Sequence, residues 1–244
     1  MKDAEFNDPV LVAVYDAECT WGAEDDFYVG LAGERPRSRV VDLGCGTGRL
    51  ALGLAAAGHE VTGVDPSVAS LEAAHAKPGA YAVEWIHGFA SDLRSGAFDL
   101  ALMTSHVGQF FIDEAAWDTA LADLARAVVI GGRLAFESRD PDARGWEMWN
   151  PIDSARVVRL PFGEVHIETD VLRVEGPVVQ FVHRYVLPDG ARRTSETTLA
   201  FRSKEAICAA LVRAGFIVEA VWGGWRREPV GAGDGELIFV ARRG

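Results

Sequence analysis

The sequence predicts an α/β fold of Rossmann-like type. It should form a seven-stranded, mostly parallel sheet with helices on both faces and an antiparallel last strand, plus an antiparallel β insertion before the last helix. Three observations predict it. From residue 38 to about 139, short β-branched runs alternate with amphipathic helical stretches, the pattern of a parallel sheet with crossover helices. The first run, in "VVDLGCGTGRLALGLAAAGHEVTGVD", leads through three alternating glycines into a helical stretch. From 155 to 201 the period changes to two, in "EVHIETDVLRV", "VVQFVHRYVL" and "RRTSETTLAF".

In chain order, residues 9–33 are expected to make one or two helices across the mouth of the sheet. Strands are expected at 38–43, 59–64, 82–87, 98–104 and 132–138. Between them, 47–57 carries Leu50, Leu54 and Ala57 on one helical face, 67–76 follows "DPS", and 113–127 repeats Ala116, Ala120, Leu121 and Leu124 at helical spacing. Gly131-Gly132 reads as the stop of that helix and the start of the fifth strand. In the insertion, "PDG" at Pro188 to Gly190 reads as a hairpin turn. Ser203 then reads as a helix N-cap, with Ile207, Leu211 and Ala214 facing the core and Gly215 as the stop. "FIVEAVW" and "GELIFVARR" close the sheet as a strand pair. The expected organisation is one domain over 1–244: a helical cap at 9–33, a ligand-binding core at 38–140, the β insertion at 150–202, and the closing helix and strand pair at 203–244.

A chain of 244 residues, 49% hydrophobic, can bury a full globular core. Its apolar runs fall short of the ~18 residues that span a bilayer, and "MKDAEFNDPV" lacks the basic and apolar regions of a secretory signal. The expectation is a cytoplasmic protein with no membrane partner. Cys19, Cys45 and Cys208 show no CxxC pairing or His-Cys clustering, so neither a disulfide framework nor a metal site is expected. A net charge of -12 repels phosphate backbones, which argues against nucleic acid as a partner.

The glycine loop sits where free backbone N–H groups and a helix dipole favour the negative end of a ligand, and glycine lets that ligand approach. Dinucleotides use this place with G-x-G-x-x-G, but Arg49 stands where the third glycine belongs. No lysine follows the glycines as a phosphate-binding P-loop requires. Instead Asp42 precedes the loop, and Asp65 ends the next strand 17 residues after Gly48.

With these residues the chain resembles the class I S-adenosylmethionine-dependent methyltransferases, in particular the small-molecule type with a methyltransferase-25-like core. "VVDLGCGTG" looks like their first motif and "VTGVDPS" like their second. "FDLALMTSHVGQFF" and "LARAVVIGGRLAFESRD" look like the fourth and fifth strand motifs. The resemblance covers about Val10 to Asp140 well and the closing elements more loosely. "YD…WG…DDFY", at Tyr15-Asp16, Trp21-Gly22 and Asp25 to Tyr28, also resembles a group of bacterial methyltransferases. The resemblance implies S-adenosylmethionine as cofactor and S-adenosylhomocysteine as product. It implies that Asp42 and the backbone of Gly44, Cys45, Gly46 and Gly48 hold the methionine end, and that Asp65, followed by Pro66, accepts both ribose hydroxyls. The third motif departs from the family: "GFASDL" puts Phe89 where an adenine-binding acid is expected. Either Phe89 stacks on adenine, with the backbone of Ala90 and Ser91 reading the ring, or Asp92 substitutes for the acid, or Phe89 is core.

Methyl transfer from a sulfonium needs alignment and, for an oxygen or nitrogen acceptor, removal of a proton. His106 in "TSHVGQ", at the carboxyl edge of the fourth strand, is the candidate base; the alternative is a structural or cofactor-shell histidine. Ser105, in the same loop, is a candidate for the cofactor. Tyr28, Gln109, Arg139, Trp146, Trp149 and His183 are candidates for a small-molecule acceptor, with aromatic anchoring of the insertion as the alternative for the two tryptophans. The resembling nucleic-acid enzymes carry Asn-Pro-Pro-Tyr or Pro-Cys motifs, and neither occurs here. A nicotinamide-dependent oxidoreductase and a non-catalytic cofactor-binding or assembly protein of the same fold are the competing readings. A homodimer, if formed, is expected through the β insertion.

Overall fold

The computed structural model describes residues 3–244. Three helices come first: α1 (Ala4–Asn7), α2 (Pro9–Glu18) and α3 (Ala23–Gly33). Then follow β1 (Arg39–Leu43), α4 (Arg49–Ala56), β2 (Glu60–Asp65), α5 (Val68–His75), β3 (Val83–His87), β4 (Phe98–Met103), α6 (Glu114–Ala127) and β5 (Val128–Arg139). The insertion holds β6 (Arg156–Leu160), β7 (Gly163–Glu175), β8 (Val178–Val186) and β9 (Arg192–Ala200), and the chain closes with α7 (Lys204–Arg213), β10 (Phe216–Trp222) and β11 (Glu236–Arg243).

The main sheet has the order β10-β11-β5-β4-β1-β2-β3. Only β11 runs against the rest. The chain moves outward from β1 to β3 and then returns to β4, so the order reverses between β1 and β4. A crevice opens at the carboxyl ends of two strands whose crossovers leave in opposite directions, and ligands of open α/β sheets bind there. The insertion is an antiparallel meander, β6-β7-β8-β9.

Helices cover both faces. Trp117, Leu121 and Leu124 of α6 and Leu211 of α7 pack with Phe136 and Phe239 on one side, while Tyr28 and Leu31 of α3 and Leu50 and Leu54 of α4 pack with Leu102 on the other. Two residues expected on these faces are instead exposed. Ala57 is the C-cap of α4, and Ala116 gives way to Trp117, which leads the buried stripe of α6.

The glycine pair corrects a boundary. Gly131-Gly132 does not end α6, because β5 already begins at Val128, and the glycines lie inside the strand. Val128 is fully buried, and the β-branched run 128–130 favours extended backbone. The β4 register slips from Phe98↔Val128 to Leu100↔Arg133, and Gly131 takes up the bulge with φ 77°.

The N-terminal helices start earlier than expected and touch more. α1 and α2 place Ala4, Leu11 and Val14 against Val165, Ile167 and Tyr185 of the insertion. The motif residues of this region tie it to the first crossover. Asp16 accepts from Thr47 Oγ1 and Lys77 Nζ, Asp25 pairs with Arg49, and the Trp21 ring lies where a Cβ on Gly53 would stand.

Candidate active site

Each loop glycine is in the left-handed region, at φ 76° for Gly44, 53° for Gly46 and 79° for Gly48. Close packing adds a second reason at two of them. A Cβ on Gly44 would stand 2.4 Å from Val107 Cγ2, and one on Gly48 would stand 2.5 Å from Trp85 Cη2. The backbone of the loop therefore faces the crevice with only Cys45 and Thr47 adding side chains of the loop's own to its wall.

A cleft opens over this loop, lined by Tyr15, Asp42, Gly44, Cys45, Thr47, Arg49, Thr104 and Ser105 among others. Asp42 is 1% exposed, and its Oδ1 has no hydrogen-bond partner among the described residues. Burial, with Asp65 and Glu137 adding repulsion, pushes its carboxyl up to about 7. A buried acceptor left unpaired at a ligand crevice fits a cationic donor, and the ammonium of an amino-acid end is one. Asp65 is held by Gly46 N and Ser67 N, at 2.8 Å each, one on each oxygen. Each oxygen keeps a second lone pair, enough for the two hydroxyls of a ribose. These residues fit S-adenosylmethionine. Burial pushes the Cys45 thiol far up, so it is an un-ionised wall residue and no nucleophile.

The third-motif region excludes one of its three readings. Phe89 is 62% exposed and so is not core. Asp92 Oδ2 accepts from Phe89 N at 2.8 Å, closing its own 3-10 turn, so that oxygen is already committed within the chain. The carbonyls of Ala90 and Ser91 are fixed by Arg126 Nη2. Pro66 is exposed beside them, its carbonyl 3.1 Å from His87 Nε2.

At the other side of the crevice, Ser105 and His106 are consecutive non-glycine residues with φ 54° and 63°, a strained pair at the end of β4. His106 N donates to Glu137 Oε1 at 2.8 Å, and Glu137 Oε2 accepts from the Tyr28 hydroxyl. His106 Nε2 lies 2.9 and 3.0 Å from the two oxygens of Glu236. Burial pushes His106 down to about 3, with Arg139 adding, and pushes Glu236 up to about 7. The attraction between the two groups acts in the opposite sense, but desolvation of two charges outweighs it, so the imidazole is neutral at neutral pH.

Several acceptor candidates are placed differently from the expectation. Tyr28 is fully buried behind Glu137, so its hydroxyl is closed to a substrate. Gln109 is 1% exposed and bridges Arg139 Nη1 to the carbonyl of Ala200, a tie between the sheet edge and β9. Trp146 and Trp149 pack on Phe201 and Phe181 and so anchor the insertion. His183 shares its face with Phe181 and Tyr185 as expected, and its nitrogens lie against Thr169 Oγ1 at 2.8 Å and Glu5 Oε2 at 3.4 Å. Arg139 remains in the seam between the insertion and the sheet edge, over the Trp149 ring at 5.3 Å.

The sequence reading missed Tyr15, Thr47, Arg49, Glu137, Glu236 and Glu5. Tyr15 carried a signal in the "YD" pair. Glu236 carried one in topology: the first residue of a strand antiparallel to β5 must lie at that strand's carboxyl edge, where it pairs with Arg139. Among the described residues, no group of three or more His, Cys, Asp or Glu is arranged to hold a metal ion, and no helix is long and apolar enough to cross a membrane.

Comparison with known proteins agrees with this geometry. A family model described as a methyltransferase domain matches residues 40–132, from β1 through the glycine pair of β5. The chain is 28% identical to a cypemycin N-terminal methyltransferase of Streptomyces sp over all of both chains. It is 36% identical to a ubiquinone biosynthesis O-methyltransferase of Maricaulis maris, over 44% of this chain and 43% of that one. In fold it is similar to CalS10, an amino pentose methyltransferase from Micromonospora echinaspora solved with S-adenosylmethionine (TM-score 0.71, 23% identity, 96% and 97% of the two chains). It is likewise similar to the CcbJ methyltransferase of Streptomyces caelestis (TM-score 0.77, 17% identity, 99% and 98%). Residues 40–132 carry a methyltransferase domain, and these findings support S-adenosylmethionine-dependent methyltransferase activity over the nicotinamide-dependent and non-catalytic readings.

Proposed function

We propose that this enzyme methylates an oxygen or nitrogen atom of a small-molecule acceptor, and that nitrogen is the better reading. The observation that carries this is the unpartnered buried Oδ1 of Asp42 in a cleft whose wall residue Ser105 leads directly into the His106–Glu236 pair at the end of β4. The full-length similarity to an enzyme named for N-terminal methylation supports nitrogen. The cofactor, when bound, supplies an electrophilic methyl group that carries its own activation.

The chain's residues supply the rest. Asp42 and the backbone of Gly44, Cys45, Gly46 and Gly48 hold the methionine end, and Asp65 with Pro66 holds the ribose. Phe89, whose ring is exposed, covers the adenine, with Ala90 and Ser91 presenting backbone groups, and Ser105 borders the donor end. His106 takes the acceptor's proton. Its Nε2 hydrogen is committed to Glu236, which fixes the tautomer with the lone pair on Nδ1. The β insertion and the N-terminal helices exclude water from above.

The test is release of S-adenosylhomocysteine in the presence of three acceptor sets: small primary amines, small phenols and alcohols, and protein or nucleic acid. Turnover with the first set, and less with the second, is expected. Turnover confined to the macromolecules would overturn the proposal.

A further inference from the structure

Arg139 is a deeply set cation without a matching anion. Its Nη1 donates to Gln109 Oε1 at 3.0 Å, and its guanidinium lies over Trp149. A guanidinium has five N–H donors, and this is the only hydrogen bond its side chain makes among the described residues. Among the described residues, no carboxylate comes within ion-pair distance of it, although Glu236 stands opposite it in the sheet. Arg49 and Arg202 are paired in contrast: the first reaches two carboxylates, Asp25 and Glu24, and the second reaches Glu114.

The carboxylates nearest Arg139 are already engaged. Glu236, its partner across β5 and β11, has both oxygens on His106 Nε2. Glu137 has one oxygen on Tyr28 and the other on His106 N. Burial lowers the pKa of Arg139, the direction expected of a cation short of counter-charge. The residue is nevertheless only partly buried and so keeps some contact with solvent. A planar fork on an aromatic floor, unpaired and next to the candidate base, is suited to a planar or tetrahedral oxyanion.

We propose that Arg139 binds an anionic group of the acceptor, a carboxylate or phosphate, so that the substrate carries both a nucleophilic nitrogen or oxygen and an acid group. This deepens the methyl-transfer reading above and rests on it. The anion, held against Trp149, would present the other end of the molecule to His106.

The test is calorimetric titration of the protein, saturated with S-adenosylhomocysteine, with benzoate, phenyl phosphate and uncharged benzamide. At least one anion should bind about tenfold or more tighter than benzamide. That preference should vanish in Arg139→Gln and persist in part in Arg139→Lys, with S-adenosylhomocysteine affinity unchanged. Benzoate ahead of phenyl phosphate identifies a carboxylate acceptor, and the reverse a phosphorylated one. Equal binding of all three ligands, binding of none, or a preference that survives Arg139→Gln would overturn the proposal. If Arg139→Gln does not fold, the wild-type comparison and Arg139→Lys decide alone. Failure of S-adenosylhomocysteine to bind would overturn the cofactor site instead, and the anion preference can still be read without it.

Discussion

The two sides of the crevice are built on opposite plans. The proposed cradle for the methionine and ribose ends of the cofactor is one continuous segment, 40–67, whose key groups are backbone turns and two aspartates, one of them unpaired at Oδ1 among the described residues. The proposed acceptor side is gathered from the two ends and the middle of the chain: Glu5, His106, Glu137, Arg139, His183 and Glu236 come from α1, β4's end, β5, β8 and β11. Most of its polar groups are already paired with one another. The first side is a preformed cradle and the second a closed network that an acceptor must enter. A shared donor needs one fixed cradle, whereas acceptors vary, and long-range packing is where that variation is accommodated.

The largest expected effect is on the cradle. Asp65→Ala removes the ribose acceptor and the anchor of Gly46 and Ser67 together, so S-adenosylhomocysteine should bind about 100-fold more weakly by calorimetry. Asp42→Asn should also weaken binding while raising the melting temperature of the free protein, because it removes a buried charge that only the ligand neutralises. Unchanged affinity in both variants would move the cofactor off this loop.

On the acceptor side the effect should be smaller and visible in pH. As pH rises through about 7, the His106–Glu236 pair loses its shared proton and becomes competent to accept one, so kcat should climb across that range with a value that belongs to the pair. Glu236→Gln should lower kcat by about 10- to 100-fold and displace that limb, with cofactor affinity intact. A variant with the wild-type pH profile would leave Glu236 a merely structural partner.

The same contrast decides what the sequence could tell. The alternation of strands and helices, the glycine loop, Asp42 and Asp65 were legible because period and spacing are local properties, and the loop's glycines answer to φ angles that no other residue adopts easily. The His106–Glu236 pair joins residues 130 positions apart, and only sheet register brings them together. Gln109 and Tyr28 looked available as polar residues near the right strand ends, yet each is buried in a contact with a distant element. Gly131-Gly132 misled because glycine in a bulge and glycine at a helix end leave the same local mark, and only the burial of Val128 separates them.

The smallest effect sharpens the comparison most, because it separates a charge waiting for a ligand from one that belongs to the scaffold. Glu5, on α1, accepts from Thr197 Oγ1 at 2.9 Å beneath the insertion, and burial pushes its carboxyl from 4.5 up to about 7. Between those values the folded protein holds a proton that the unfolded chain has released. Stability therefore falls as pH rises through this window and stays low above it, by on the order of 3 kcal/mol at most. Glu5→Gln keeps the shape and the neutral hydrogen bonds, so at pH 8 it should stabilise the protein by about 1–3 kcal/mol and at pH 5 change little, as read by thermal melting. Asp42 has a similarly raised carboxyl, but a cofactor ammonium would relieve it. Saturating S-adenosylmethionine should thus erase the gain from Asp42→Asn and leave the gain from Glu5→Gln in place; loss of both gains would mean that cofactor binding reorganises the insertion along with the cradle.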